Sequence, residues 1–307
     1  MKKVIIDVDT GIDDAMGILL AAKSGLCDIL GITTVCGNVS LEQATINTKK
    51  VLTLLGKENE IKVVQGATHP LVRKPFYEFG VHGDNGLGGA LEDMEVELID
   101  EGFAPDFIIE QAEKHKGEIT IILTAPLTNM ALALRKQPKL KEWIKELVIM
   151  GGALDKAGNV TPAAEFNIYV DPEAAKIVFH SGLPITLVSL DVTEITTLSD
   201  EDIEKMQGNI IGEFVKNSTA HYLDHYEEVY GRRKCSMHDP LAVGIALDKS
   251  LVKTKKFYVD VETKSELCDG HTICDFKNKL KKEPNIDVCL EVDSERFINM
   301  LIETLKK

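Results

Sequence analysis

Val4-Ile5-Ile6-Asp7-Val8-Asp9-Thr10-Gly11-Ile12-Asp13-Asp14-Ala15 decides how the rest of the chain reads. A short apolar, β-branched run ends in four carboxylates spread over eight residues, and an apolar helical pattern begins directly after them at Ala15-Met16. The acids therefore fall at the carboxyl end of a buried strand. Open α/β sheets bind ligands at that edge, and Gly11 lets the backbone turn there. One or two acids at such a place would be helix caps or solvated turn residues, since negative charge is favourable at a helix N-terminus. Four around one turn repel one another unless something neutralises them. A divalent cation is the usual remedy, and hard carboxylate oxygens favour Ca²⁺ or Mg²⁺ over zinc. The stretch reads as a metal or catalytic site.

Outward from this turn, residues 15–24 read as a helix closed by Gly25, 29–36 as a second buried strand, 42–55 as a helix closed by Gly56, and 61–65 as a third strand. Alternation of this kind builds a parallel sheet. Further strands are expected at 119–124, 147–150 and 184–190, with helices at 104–115, after an opening at Ala125-Pro126-Leu127-Thr128-Asn129, and at 172–181. The last of these opens with Asp171-Pro172-Glu173, which supplies an N-cap, a proline at the first helical position and an early acid. Periodicity lapses from Gly66 to Asp93, through His82-Gly83-Asp84-Asn85-Gly86, and a loop of that length is often functional. Residues 198–230 read as a helix with Tyr222, Tyr226 and Tyr230 on one face, and another helix opens at Pro240. Alternating runs at 257–263 and 286–291, with 270–276 between them, suggest a small antiparallel set closed by a helix over 294–305. No repeat, low-complexity tract or linker interrupts the chain. The expectation is one domain over residues 1–307, α/β in class: a doubly wound, mostly parallel sheet with a Rossmann-like core and a small C-terminal antiparallel addition.

Composition narrows the partners. With 35 Lys and Arg against 49 Asp and Glu, a net charge of −14, the chain is a poor candidate for a phosphate backbone, so a small molecule is the expected ligand rather than nucleic acid. The apolar run after Met1-Lys2-Lys3 breaks at Asp7, too early for a signal peptide, and no stretch approaches a membrane span. A cytoplasmic location with no membrane partner is expected. Six scattered cysteines without a C-x-x-C pair read as reduced core residues.

Strand after strand ends in polar residues able to share one crevice: Asp9, Asn38, Thr124, the loop after Met150, and Asp191, with His238-Asp239 just ahead of a helix. Amide and carboxylate side chains of this kind suit a polyhydroxylated ligand, because each hydroxyl is both donor and acceptor. The same residues carry a family resemblance. Asp7-Val8-Asp9-Thr10-Gly11-Ile12-Asp13-Asp14-Ala15 is similar to the N-terminal signature of the inosine–uridine-preferring nucleoside hydrolases. Agreement continues in order through Thr33-Thr34-Val35-Cys36-Gly37-Asn38, His82-Gly83-Asp84-Asn85-Gly86, Leu127-Thr128-Asn129, Met150-Gly151-Gly152, Ala164-Glu165-Phe166-Asn167 with Asp171-Pro172-Glu173-Ala174, and His238-Asp239. It spans residues 5 to about 245, and the remainder adds little.

The resemblance implies Ca²⁺ held by Asp9, Asp14, Asp239 and the backbone carbonyl of Thr124, with ribose 2′ and 3′ hydroxyls completing its shell. It implies Asp13 and Asn167 on those hydroxyls, Asn159 and Glu165 on the 5′ hydroxyl, Asn38 on a neighbouring ribose oxygen, and Met150 beneath the ring, with Asp7 as a supporting acid. Breaking an N-glycosidic bond builds oxocarbenium character on the sugar and negative charge on the base. Water must be activated on one face and the base protonated or tolerated on the other. Asp9 is the candidate base, and His238 the candidate acid because imidazole titrates near neutrality. His82, in the long loop, is a second base or a substrate contact. Purine-specialised members stack the base between tryptophans, whereas the single Trp143 lies away from the motifs, so pyrimidine or broad specificity is expected. Thr10 stands where proline commonly precedes the glycine, a change in turn rigidity that spares every ligand. A homodimer or homotetramer acting in nucleoside salvage is the expected assembly and role.

Two other readings fit part of the chain. Asp7-Val8-Asp9-Thr10 after a buried strand also resembles the start of a haloacid-dehalogenase-like phosphatase, with Asp7 as nucleophile and Mg²⁺ as cofactor. That class expects a Lys and a late acidic pair where this chain has His238-Asp239. A Ca²⁺-dependent nucleoside-binding protein without turnover would keep the same motifs, yet has no need of the full set Asp9, Asp14 and Asp239.

Overall fold

The computed structural model describes residues 1–98 and 102–307. Six strands of one sheet run parallel: β1 Lys2–Val8, β2 Cys27–Thr34, β3 Val63–Gln65, β4 Ile119–Leu123, β5 Glu146–Met150 and β6 Ile185–Val188. Their order in space is β3-β2-β1-β4-β5-β6, extended by Ile286–Val292 parallel to β6 and then by Val252–Phe257 antiparallel to Ile286–Val292. Side chains of β1 alternate between two cores, with Val4, Ile6 and Val8 in one and Ile5 in the other. Helix α1, Ile12–Ser24, packs in the first core with His238–Leu247 and Ser294–Leu305, while Ala104–Lys114, Thr128–Lys136 and Pro172–Phe179 fill the second. Helices on both faces of a parallel sheet make the doubly wound α/β architecture that the sequence leads one to expect.

From β1 the chain winds to β2 and β3 on one side and later resumes at β4 on the other. The carboxyl end of β1 is therefore the switch point of the sheet, where a crevice opens between diverging connections. The acidic turn lies there. Helix α2, Leu41–Leu54, returns the chain from β2 and begins at Ser40, whose hydroxyl accepts from Gln43 N at 3.2 Å.

Several expected elements are drawn differently. The helix expected over 198–230 is three elements: a strand Thr197–Ser199 paired with Lys234–Ser236, a short helix Asp200–Glu204, and the long helix Ile210–Tyr230. The break has a local cause. Gly208 adopts φ 110°, and the Asn209 side chain then caps the long helix by accepting from Ile211 N and Gly212 N at 2.9 Å each. The strand expected to reach residue 190 stops at Val188, where Leu190–Thr193 turns helical. The C-terminal antiparallel addition is split between Val252–Phe257 with Ile286–Val292 in the main sheet and a separate ribbon of Val259–Val261 with Thr272–Cys274. All six cysteines are free; Cys36, Cys235 and Cys289 are buried, but Cys268 is exposed and is no core residue. Among the described residues no helix is long and apolar enough to cross a membrane.

Asp171 ties three segments together beneath the crevice. Its fully buried carboxylate accepts from Ala174 N at 3.0 Å, Leu71 N at 2.8 Å and the Thr128 hydroxyl at 2.7 Å. Asp171→Ala removes a helix cap and orphans buried donors, so chemical denaturation should read a loss of about 2–4 kcal/mol. A loss below about 1 kcal/mol would contradict that account.

Candidate active site

Two helices aim their N-termini at the end of β1. Asp13 and Asp14 occupy the first turn of α1, and Asp239 the first turn of His238–Leu247. The helices cross closely: a Cβ on Gly17 would lie 3.3 Å from Val243 and 3.7 Å from the Asp239 carbonyl. One carboxylate oxygen from each of Asp13, Asp14 and Asp239 falls within 4.8 Å of the others, and all three residues are buried. Asp14 accepts from Gly11 N at 2.9 Å on one oxygen and from the Thr124 hydroxyl at 2.8 Å on the other. The positive ends of two helix dipoles and these donors favour the ionised forms.

Asp9 is fully buried against the loop that follows β2. Its Oδ2 accepts from Asn38 N at 2.6 Å and its Oδ1 from the Asn38 amide at 3.2 Å, and the same amide reaches Asp14 at 3.4 Å. The approach requires glycine at 37, because a Cβ there would overlap the Asp9 carboxylate. Asp7 lies deeper. One of its oxygens accepts from the Thr33 hydroxyl and from Asn129 Nδ2 at 2.8 Å, while Oδ2 is buried with no hydrogen-bond partner among the described residues. Locked into the sheet by these bonds, Asp7 is badly placed to be a phosphatase nucleophile.

A cavity opens above this acidic floor, and Asp13, Asn38, Thr124 and Asp239 line it. On the next stretch of wall, the Asn167 amide donates to the carbonyls of Thr124 and Met150 at 3.0 and 3.3 Å. Glu165 caps Phe166–Val170, accepting from Gly152 N and Asn167 N at 2.9 Å each and from Ile168 N at 3.2 Å. Asn159 lines the cavity from an exposed loop, its Oδ1 accepting from Phe166 N at 3.0 Å. Each of these side chains is held by backbone groups and so is fixed before any ligand arrives.

The opposite wall carries rings. His82 is buried, and its Nδ1 accepts from Ile12 N at 3.2 Å. His238 is held at both nitrogens, with the Thr193 hydroxyl 2.7 Å from Nδ1 and the Tyr226 hydroxyl 3.1 Å from Nε2. Its titration near neutrality is not what the structure provides: burial lowers His238 to about 4 and His82 to about 3, so both rings are neutral at pH 7. Tyr222, Tyr226 and Tyr230 also reach this wall, as do Glu78, His225 and Arg232, which the sequence reading did not single out. Arg232 follows the Tyr stripe in a segment legible only as a helix break.

Burial pushes Asp7 and Asp13 up to about 7 and Asp14 up to about 6, and it drives Asp9 and Asp239 well above the usual carboxylate value. Like charge from neighbouring acids adds to the shift of Asp9, Asp13 and Asp239. Among the described residues no Lys or Arg pairs with any of the five. The oxygens of Asp13, Asp14 and Asp239, gathered within 4.8 Å of one another, fit a divalent cation; Asp9, an expected ligand, is not part of that group and Asp13 is.

The signs of these shifts predict the behaviour of chelated protein. Raised acids hold protons in the folded state that the unfolded chain has lost, so their contribution to stability falls as pH rises from about 4 to about 7. His82 and His238 act oppositely, gaining stability as pH rises toward 6.5, but they are two groups against five. In EDTA the Tm should fall between about pH 5 and about pH 7.5, and added Ca²⁺ should raise it most at the upper end. A flat or rising Tm in EDTA would contradict the account.

Comparison with known proteins agrees with this geometry. Residues 4–299 match the family model described as inosine-uridine preferring nucleoside hydrolase. The pyrimidine-specific ribonucleoside hydrolase RihB of Escherichia coli O157:H7 is 36% identical, over 99% of this chain and 97% of its own. Among solved structures, a plant nucleoside hydrolase, the PpNRh1 enzyme, superposes with a TM-score of 0.93 at 35% identity, covering 99% of each chain. The purine-preferring ribonucleoside hydrolase from Gardnerella vaginalis gives a TM-score of 0.90 at 36% identity, over 99% of this chain and 98% of that one. The family implies a metal ion, which the buried acids suit. The chain therefore belongs to the inosine-uridine preferring nucleoside hydrolases, N-glycosyl hydrolases of ribonucleosides.

Proposed function

We propose that this nucleoside hydrolase is Ca²⁺-dependent and releases ribose and free base from inosine- or uridine-type ribonucleosides, with pyrimidine or broad base preference, in cytoplasmic nucleoside salvage. Residues 1–307 act as one domain, and the working assembly is a homodimer or homotetramer. The observation that carries the reading is the cluster of buried, unpaired acids at the sheet's switch point, set between a wall of backbone-held amide and carboxylate groups and a wall of rings. The printed names of the relatives divide between pyrimidine and purine. Trp143, buried at the far side with Lys116 4.7 Å from its ring, offers no stacking platform for a purine.

Asp9, Asp14, Asp239 and the Thr124 carbonyl are the proposed ligands. When bound there, Ca²⁺ supplies a Lewis-acidic centre that orients water and ribose hydroxyls. Asp9 takes the proton of the attacking water, and its carboxylate is aimed for this by the two Asn38 donors. Asp13 and Asn167 bind the 2′ and 3′ hydroxyls, Glu165 and Asn159 the 5′ hydroxyl, and Asn38 a ribose oxygen, while Met150 lies beneath the ring. All of these except Asp9 and Asp14 line the cavity. Asp13 shares the acid group with Asp14 and Asp239, which supports a contact to hydroxyls bound at the same place.

On the leaving-group side, His238 acts as a neutral donor. A neutral imidazole has one N–H, and the hydroxyls of Thr193 and Tyr226 sit on its two nitrogens. With Nε2 protonated, His238 donates a hydrogen bond to the Tyr226 oxygen, which leaves the phenol's own proton free to pass to the departing base. The phenolate so formed is held by the His238 N–H and regains a proton from solvent once the base has left. His82 contacts the base from beside Tyr222, their ring centroids 5.8 Å apart.

His238→Ala separates protonation of the base from activation of water. It should slow uridine or inosine by roughly 10²–10⁴-fold, the range of a positioned general acid. It should affect p-nitrophenyl riboside far less, because that leaving group is stable as an anion. Equal losses on both substrates would instead point to damage at the neighbouring Asp239, and no loss on either would end the role of His238.

A further inference from the structure

We propose that Asn47, in the middle of α2, is a positioning residue that sets the orientation and tautomer of His82, and the proposal rests on the reading of His82 as a base contact. The Asn47 side chain is 1% exposed and both its polar atoms are hydrogen-bonded. Its amide nitrogen donates to the carbonyls of Thr10 and Asn85, each at 2.9 Å, and its Oδ1 accepts from Gln43 Nε2 at 2.9 Å. Thr10 belongs to the acidic turn, between Asp9 and Gly11, and Asn85 to the loop that carries His82. One amide thus clips the acidic turn at the floor of the cavity to the loop that carries His82.

Both sides of the clip are stiff. The Thr10 hydroxyl meets that of Thr48 at 2.7 Å, and Thr48 donates to Ala44 O at 2.8 Å within α2. Asn85 Oδ1 accepts from Leu87 N and Gly89 N at 2.9 and 3.0 Å, and Gly88 N donates to His82 O at 2.9 Å. A shift of Asn85 is therefore transmitted to His82. A Cβ on Gly86 would lie 2.8 Å from Asn47 Nδ2, so the loop can approach this closely only with glycine there.

The two loops also meet where Ile12 N–H donates to His82 Nδ1 at 3.2 Å. A ring nitrogen that accepts from a backbone amide carries no proton, so the single N–H of the neutral ring is on Nε2. His82 then reaches the cavity as a fixed donor, suited to a hydrogen-bond acceptor on the base, a carbonyl oxygen or an unprotonated ring nitrogen. It is not a proton acceptor in this state. Ile12 N keeps its hold on Nδ1 only while the loops stay in register, and Asn47 is what holds the register.

The test uses Ca²⁺-loaded full-length protein labelled with ¹⁵N at histidine, His82 being assigned by its loss in His82→Asn. Wild type should show His82 in one tautomer with Nε2 protonated. Asn47→Leu, and Asn47→Asp as a second variant that keeps the shape but removes both donors, should show averaging between tautomers. Both should lower kcat/KM for uridine by roughly 10- to 100-fold, as expected for a sub-ångström to one-ångström misplacement. Combining Asn47→Leu with His82→Ala should cost no more than His82→Ala alone, since one acts through the other. An unchanged single tautomer in both variants, or losses that multiply in the double variant, would overturn the proposal. Absence of ribose release by wild type would refute the function above and leave the ¹⁵N result to decide the role of Asn47.

Discussion

Five carboxyl groups, Asp7, Asp9, Asp13, Asp14 and Asp239, are buried at one end of the sheet with no basic side chain paired to them among the described residues. Burial of an unpaired charge costs several kcal/mol even after relaxation, so the site is the most demanding part of the fold. The chain offsets part of that cost with its backbone. Two helix N-termini converge on Asp13, Asp14 and Asp239, and Gly11 N, Asn38 N and the Thr124 hydroxyl donate to Asp14 and Asp9. The acids stay protonated more readily than usual despite these donors. Twofold positive charge at the same point would remove the remaining penalty, and this ties stability to the presence of a cation.

The same constraint explains why neighbouring residues are what they are. Gly37 has no side chain because Asp9 occupies its place, and Asn38 spends both its backbone and its amide on that acid. Asn167 and Glu165 hold strand ends and a helix start while presenting polar atoms to the cavity. Groups used twice in this way leave little freedom at the sugar side. The ring-lined wall is different in kind. It is built by the loop around His82, the helix Ile210–Tyr230 and the segment after it, which are distant in sequence and joined mainly by side-chain contacts such as His221 Nε2 to Gly80 O at 3.2 Å. Base selection is the property most open to change on such a wall.

Much of this was legible in the sequence because the deciding signals are local. The β-branched run of β1, the acids behind it and the Asp171-Pro172 cap each act within a few residues of themselves. Of the polar residues at successive strand ends, Asn38, Thr124 and the loop after Met150 line one cavity, since a parallel sheet places those ends on one edge. Asp9 is outside the lining, and Asp191 is spent on Leu154 N, Asp155 N and the Ser189 hydroxyl. Properties that need tertiary partners were not legible. Adjacency to Asp239 marked His238 as a site residue but said nothing of its burial or of Thr193 and Tyr226, which arrive from other segments. Asn47 lies in a stretch legible only as a helix, and its two carbonyl partners lie in loops far away in sequence. The break at Gly208-Asn209 carried a readable stop-and-cap signal that apolar periodicity on either side obscured.

Cleavage of the N-glycosidic bond is proposed to depend on a calcium ion held by the buried acids around the end of β1. The most direct measurement is ribose release from a panel of purine and pyrimidine nucleosides by EDTA-stripped protein titrated with Ca²⁺. No release is expected without the ion, with recovery that saturates as Ca²⁺ is added and free base appearing one-for-one with ribose. Release that is indifferent to EDTA, or recovery with Mg²⁺ and a phosphate ester but with no nucleoside, would contradict that dependence.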